Sequence, residues 1–78
     1  MGSKYPVLKP EEVIRILRGH GFEMISQRGS HIKMRAYSPA TRTVIIPNQY
    51  EVAKGTLQAI LVQPDISLED FLNDLTSH

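Results

Sequence analysis

The sequence predicts an α+β fold in the order α-β-β-β-α, a three-stranded antiparallel sheet with helices on one face and a short C-terminal helix. Three observations carry that expectation. Apolar residues at 13, 14, 16 and 17 recur at helical spacing behind a proline, residues 31–37 alternate polar with apolar, and residues 66–71 read as a capped helix start.

Residues 1–8 show no periodic pattern and are expected to be a flexible lead-in to a single domain over 9–76. Pro10 suits the first turn of a helix, where its missing N–H has no intrahelical partner to lose. Glu11 and Glu12 sit in the same turn, where the helix dipole favours negative charge. Val13, Ile14, Ile16 and Leu17 form an apolar stripe with Arg15 and Arg18 off it, and Gly19-His20-Gly21 ends the helix. From Phe22 to Arg28 the chain is rich in strand formers. Gly29-Ser30 then makes a tight turn with a positive φ at Gly29, and a second strand runs from His31 to Tyr37. Ser38-Pro39-Ala40-Thr41 is the next turn. Thr43-Val44-Ile45-Ile46 is β-branched throughout and stops at Pro47, which gives the third strand of a meander. A second helix begins near Gly55-Thr56, with Leu57, Ile60 and Leu61 inward, and closes at Pro64. Ser67 is an N-cap with an acidic residue three positions on, and Ile66 is set to staple onto Phe71. A short third helix with Leu68, Phe71, Leu72 and Leu75 inward follows.

Successive strand residues point to opposite faces, so Ile32, Met34 and Ala36 face the helices while His31, Lys33, Arg35 and Tyr37 share the open face. One titratable imidazole beside two fixed cations is suited to gripping a phosphodiester and moving a proton next to it. The bland reading of His31 is a strand-start histidine that satisfies a turn carbonyl.

Composition narrows the classes. Seventy-eight residues leave little room for a deep pocket, so a shallow surface site is expected. The absence of cysteine excludes a disulfide framework or thiolate zinc site and fits a cytoplasmic protein. Three scattered histidines without metal-ligand spacing argue against a metal, and no apolar run reaches the length of a membrane span. Met1-Gly2-Ser3 does not complete a myristoylation signal, because Pro6 stands where Ser or Thr is required. Net charge is only +1, but it is unevenly spread. Residues 22–46 hold Arg28, Lys33, Arg35 and Arg42 against Glu23 alone, whereas 63–78 hold Asp65, Glu69, Asp70 and Asp74 with no Lys or Arg.

Other candidates divide between functional and ordinary roles. Gly29 also lets a phosphate approach the backbone closely. Ser30 either donates to a phosphate oxygen or completes the turn. Lys54, at the start of the second helix, is either an exposed lysine or a cation beside an anion-attracting helix terminus. His20 reads as a partner of the last helical carbonyls, and His78 as part of a disordered end. Tyr37 and Tyr50 either stack on unpaired bases or pack half-buried.

An amphipathic helix ending in Gly21-Phe22 leads to Gly29-Ser30-His31, then a strand ending at Ile46-Pro47. Lys54-Gly55-Thr56-Leu57, Ile66-Ser67 and Phe71-Leu72 complete the series. In this order and spacing, from about Leu8 to Leu75, the chain resembles the HicA family of small RNA-cleaving toxins. The resemblance implies a double-stranded-RNA-binding-domain-like fold and His31 as the catalytic residue. It further implies an mRNA substrate, a HicB-type antitoxin that blocks the site, and no metal or small-molecule cofactor. Many members carry a second histidine or an aromatic just behind the catalytic one, where Ile32 and Lys33 stand here. Many also have a histidine six residues before the Gly-Thr-Leu glycine, a place occupied here by Gln49.

On this reading His31 acts as general base or acid in a metal-independent endoribonuclease, while Arg28, Gly29, Ser30, Lys33, Arg35 and Lys54 contact RNA. Two other classes compete with it. One is a non-catalytic RNA-binding module of the same fold, indifferent to His31. The other is a decayed toxin serving as a protein-interaction domain.

Overall fold

The computed structural model describes residues 8–76. Its elements are α1 (Pro10–Gly19), β1 (Glu23–Arg28), β2 (His31–Ala36), β3 (Arg42–Pro47), α2 (Lys54–Ile60) and α3 (Leu68–Thr76). The strands form one antiparallel sheet in the order β1-β2-β3, so the expected meander with its additional C-terminal helix is present. The rest of the lead-in and His78 lie outside the described residues.

Helix α1 starts as its sequence dictates. Pro10 occupies the first turn, and the Lys9 backbone N–H donates to Glu12 Oε1 at 3.0 Å, which satisfies a donor that the helix cannot. It ends on Gly21 at φ +92°, where the Gly21 N–H donates to the Arg18 carbonyl and the Phe22 N–H to the Leu17 carbonyl. A left-handed residue there lets the chain turn back while using up otherwise unpaired carbonyls. The turn drops Phe22 into the core directly before β1.

The core lies between the sheet and the helices. Val13, Ile14, Ile16 and Leu17 from α1 meet Ile32, Met34 and Ala36 from β2 and Val44 and Ile46 from β3, with Leu57, Ile60 and Phe71 closing the layer. Each large apolar side chain buried here contributes about 1.5–3 kcal/mol. Leu8 is 1% exposed, and its carbonyl accepts from the Val52 N–H at 2.8 Å, an isolated bridge that ties the start of the domain to the approach to α2.

Helix α3 has the expected cap. Ser67 Oγ accepts from the Asp70 backbone N–H at 3.0 Å, and Phe71 in the next position is fully buried. His20 differs from expectation. Its Nε2 lies 2.7 Å from Asp74 Oδ2, so it joins the end of α1 to the side of α3 through a carboxylate on a distant turn.

Candidate active site

The site is on the sheet face turned away from the helices. Its floor is set by strand register, which lays side chains out in rows. Arg28, His31 and Pro47 form one row, Ser26, Lys33 and Ile45 the next, and Glu23, Arg35 and Thr43 the third. Adjacent rows lie about 6.7 Å apart, the distance between same-face residues along a strand.

Two local features produce this layout. The hairpin between β1 and β2 has two central residues, and Gly29 has φ +54° while Ser30 stays on the negative side, as a type II′ turn requires. A β-bulge at Ile25 supplies the second. Met24 pairs with Met34 and Ser26 with Lys33, leaving Ile25 as an extra residue on β1. Because of it, Glu23 and Arg28 share a face although they stand five positions apart, an odd spacing that regular alternation would put on opposite faces.

The first two rows enclose a shallow groove of about 440 Å³ lined by Ser26, Arg28, His31, Lys33 and Ile45. His31 is exposed and Lys33 half-buried, so the imidazole is open to solvent beside a lysine whose stem lies on the sheet. The groove brings together one proton-transfer group, two cations, one hydroxyl and one apolar side chain. It offers positive charge for a phosphate and a titratable nitrogen at the same place.

On the other side of the turn, the Asn48 N–H donates to the Ser30 carbonyl at 2.6 Å. That bond brings the segment after β3, which carries Gln49, alongside the hairpin. Ser30 is thereby engaged through its backbone.

A sequence model of the family described as HicA toxin of bacterial toxin-antitoxin systems matches residues 10–66. The chain belongs to the HicA toxin family. No curated protein matches it at a significant level. Membership makes it a protein of the toxin side of toxin-antitoxin systems and implies an antitoxin partner. No helix among the described residues is long and apolar enough to cross a membrane.

Of the residues singled out in this HicA chain, His31, Arg28 and Lys33 line the groove, and Gly29 and Ser30 form the turn at its end. Arg35 is on the same face one row beyond. Its Nε donates to Thr43 Oγ1 at 3.0 Å, and Glu23 is its cross-strand neighbour, so it is held on the sheet outside the groove lining. Lys54 is exposed as the first residue of the seven-residue α2 and does not line the groove. Arg42 leaves the basic region altogether. It pairs with Ala36 on the helix side, where Nη1 donates to the Pro64 carbonyl at 3.1 Å and the guanidinium lies 5.9 Å from the centre of the Phe22 ring. Tyr50 is 81% exposed and receives the Lys9 ammonium at 5.8 Å from its ring centre, a surface contact rather than half-buried packing.

Sequence reasoning missed Ser26 and Ile45. Ile45 was within reach, since alternation along β3 with Val44 and Ile46 inward places it outward. Ser26 was as well, since it stands two residues before Arg28 on the same side of the bulge; the residue whose face the bulge hides is Glu23.

Proposed function

We propose that this HicA-family chain is a metal-independent endoribonuclease that cuts mRNA in the cytoplasm, with His31 as the proton-transfer group, and that a HicB-like antitoxin restrains it by covering the groove. The observation that carries the reading is the groove itself. A single imidazole stands on an open sheet face with Arg28 directly across the β1–β2 ladder and Lys33 in the next row.

The chemistry needs little more. The ribose 2′-oxygen attacks the adjacent phosphorus, the bond to the 5′-oxygen breaks, and the products are a 2′,3′-cyclic phosphate and a 5′-hydroxyl. One proton leaves the 2′-hydroxyl and one arrives at the 5′-oxygen. His31 carries one of these transfers and solvent the other, while Arg28 and Lys33 neutralise charge that builds on the phosphorane oxygens. Such a positioned group supplies about 10²- to 10⁴-fold. Gly29 leaves room for the RNA backbone at the end of the groove, and Arg35 extends the positive face along β2.

The decisive test incubates a long unstructured RNA with the protein in EDTA and compares wild type with His31→Ala after both are shown to be folded. Fragments from the wild type alone are expected. Intact RNA in both reactions would overturn the nuclease reading and favour an RNA-binding or protein-interaction role for the same face.

A further inference from the structure

Ile45 is 43% exposed, an isoleucine in a row that also holds a lysine and a serine. Its position makes sense of its exposure. It lines the cationic groove on one side, and on the other it lines a second groove of about 340 Å³ between β3 and α2. That second groove has Thr43, Ile45 and Pro47 on the strand side and Thr56, Ala59 and Gln63 on the helix side. None of these six carries a formal charge. The two grooves therefore share one apolar ridge, with positive charge to one side of it and a neutral slot to the other.

An unpaired nucleotide has the same division. Its phosphate and ribose are anionic and polar, while its base is flat, largely apolar and bears hydrogen-bonding groups only at its edge. Duplex RNA cannot divide itself in this way, since its base faces are stacked inside the helix and only sugars, phosphates and base edges reach a protein. Neutral slots with a few polar side chains are the usual form of a site that both holds and orients a small planar group.

We infer that the substrate is single-stranded RNA whose backbone runs through the groove of His31, Arg28 and Lys33 while one base crosses Ile45 into the slot between β3 and α2. Thr56 and Gln63 then face the base edge and set which base is accepted. The inference rests on the nuclease reading for the role of His31, but the slot is a binding feature and can be tested without cleavage.

The probe is a short fluorescent oligonucleotide with 2′-deoxyribose throughout, which cannot undergo attack by a 2′-hydroxyl. Its binding to the full chain is measured by anisotropy, single-stranded and annealed to its complement, beside sequencing of the ends cut from a long RNA. Ala59→Phe fills the slot from an exposed helix position and is expected to weaken the single-stranded probe about tenfold. Gln63→Ala is expected to relax the base preference at one position next to the cut. Circular dichroism checks that both variants are folded. Equal affinity for the single strand and the duplex would overturn the inference, as would an Ala59→Phe protein with unchanged binding and cutting pattern. Loss of antitoxin binding with RNA binding intact would assign the slot to a protein partner and overturn it equally. If Ala59→Phe weakens the probe but wild type cuts no RNA, the slot stands and the nuclease reading falls.

Discussion

Arg28 and His31 face each other across the β1–β2 ladder at the two ends of a two-residue turn. Directly opposed strand residues have Cα atoms about 4.5–5.5 Å apart, so a phosphate bound to the guanidinium lies within reach of the imidazole. His31 is exposed, and its replacement leaves no cavity. His31→Ala is therefore expected to lower RNA cleavage about 10²- to 10⁴-fold with the melting temperature unchanged. A proton-transfer role for His31 also makes the wild-type rate depend on pH. A rate that rises with pH identifies the base and one that falls identifies the acid; a flat profile contradicts both roles.

Lys33 and Arg42 are both cations of the middle of the chain, yet they are expected to fail in opposite ways. Lys33→Ala removes a charge from the groove. It is expected to weaken RNA binding and to lower the slope of log affinity against log salt by about 0.7, at unchanged stability. Arg42→Ala removes the hydrogen bond to the Pro64 carbonyl and the contact with the Phe22 ring, and is expected to cost about 1–2 kcal/mol in chemical denaturation with RNA affinity per folded molecule preserved. The reverse pattern would show that the faces are assigned wrongly.

Deleting Ile25 is expected to be tolerated by the candidate site. With the extra residue gone, Met24 still meets Met34, Ser26 meets Lys33 and Arg28 meets His31, now in an uninterrupted ladder. Cleavage should survive. The bulge also twists an outer strand away from other edges, so the deletion variant is expected to self-associate more than the wild type. Light scattering and an RNA cleavage assay on the same sample read both effects.

The two ties that hold α3 differ in worth. Ser67→Ala removes the bond from the Asp70 N–H and is expected to cost about 1 kcal/mol. Asp74→Asn weakens the exposed His20–Asp74 contact, which is an ion pair only with the imidazole protonated; the loss is expected to be below about 1 kcal/mol and, for the charged pair, to shrink further in high salt. Thermal melts at two salt concentrations separate them.

The outline of the fold was legible because its signals are local. Pro10, the apolar stripe of α1, Gly29 and the Ser67 cap each act within one turn of chain, and each stands where its chemistry requires. The shared face of His31, Lys33 and Arg35 was legible for the same reason, since the alternation of β2 depends on no other element. What escaped depends on pairing between elements. Arg42 counted as one more cation until register set it opposite Ala36. His20 found a carboxylate that is distant in sequence instead of the carbonyls beside it. The face of Glu23 is invisible to a strict two-residue period counted from Arg28, because a bulge is a property of two strands together.

Every residue of β1 is exposed, so this outer strand is joined to the rest by its ladder with β2 more than by buried side chains. Such a segment opens at lower free energy than the core strands and exchanges its amide protons earlier. Arg28 and Ser26 ride on it. A ligand that bridges β1 and β2 across the groove therefore has two effects at once, occupying the site and slowing the opening of its outer wall. An antitoxin seated there would act as a folding clamp as well as a plug, and its removal would return to the toxin a site with one breathing edge.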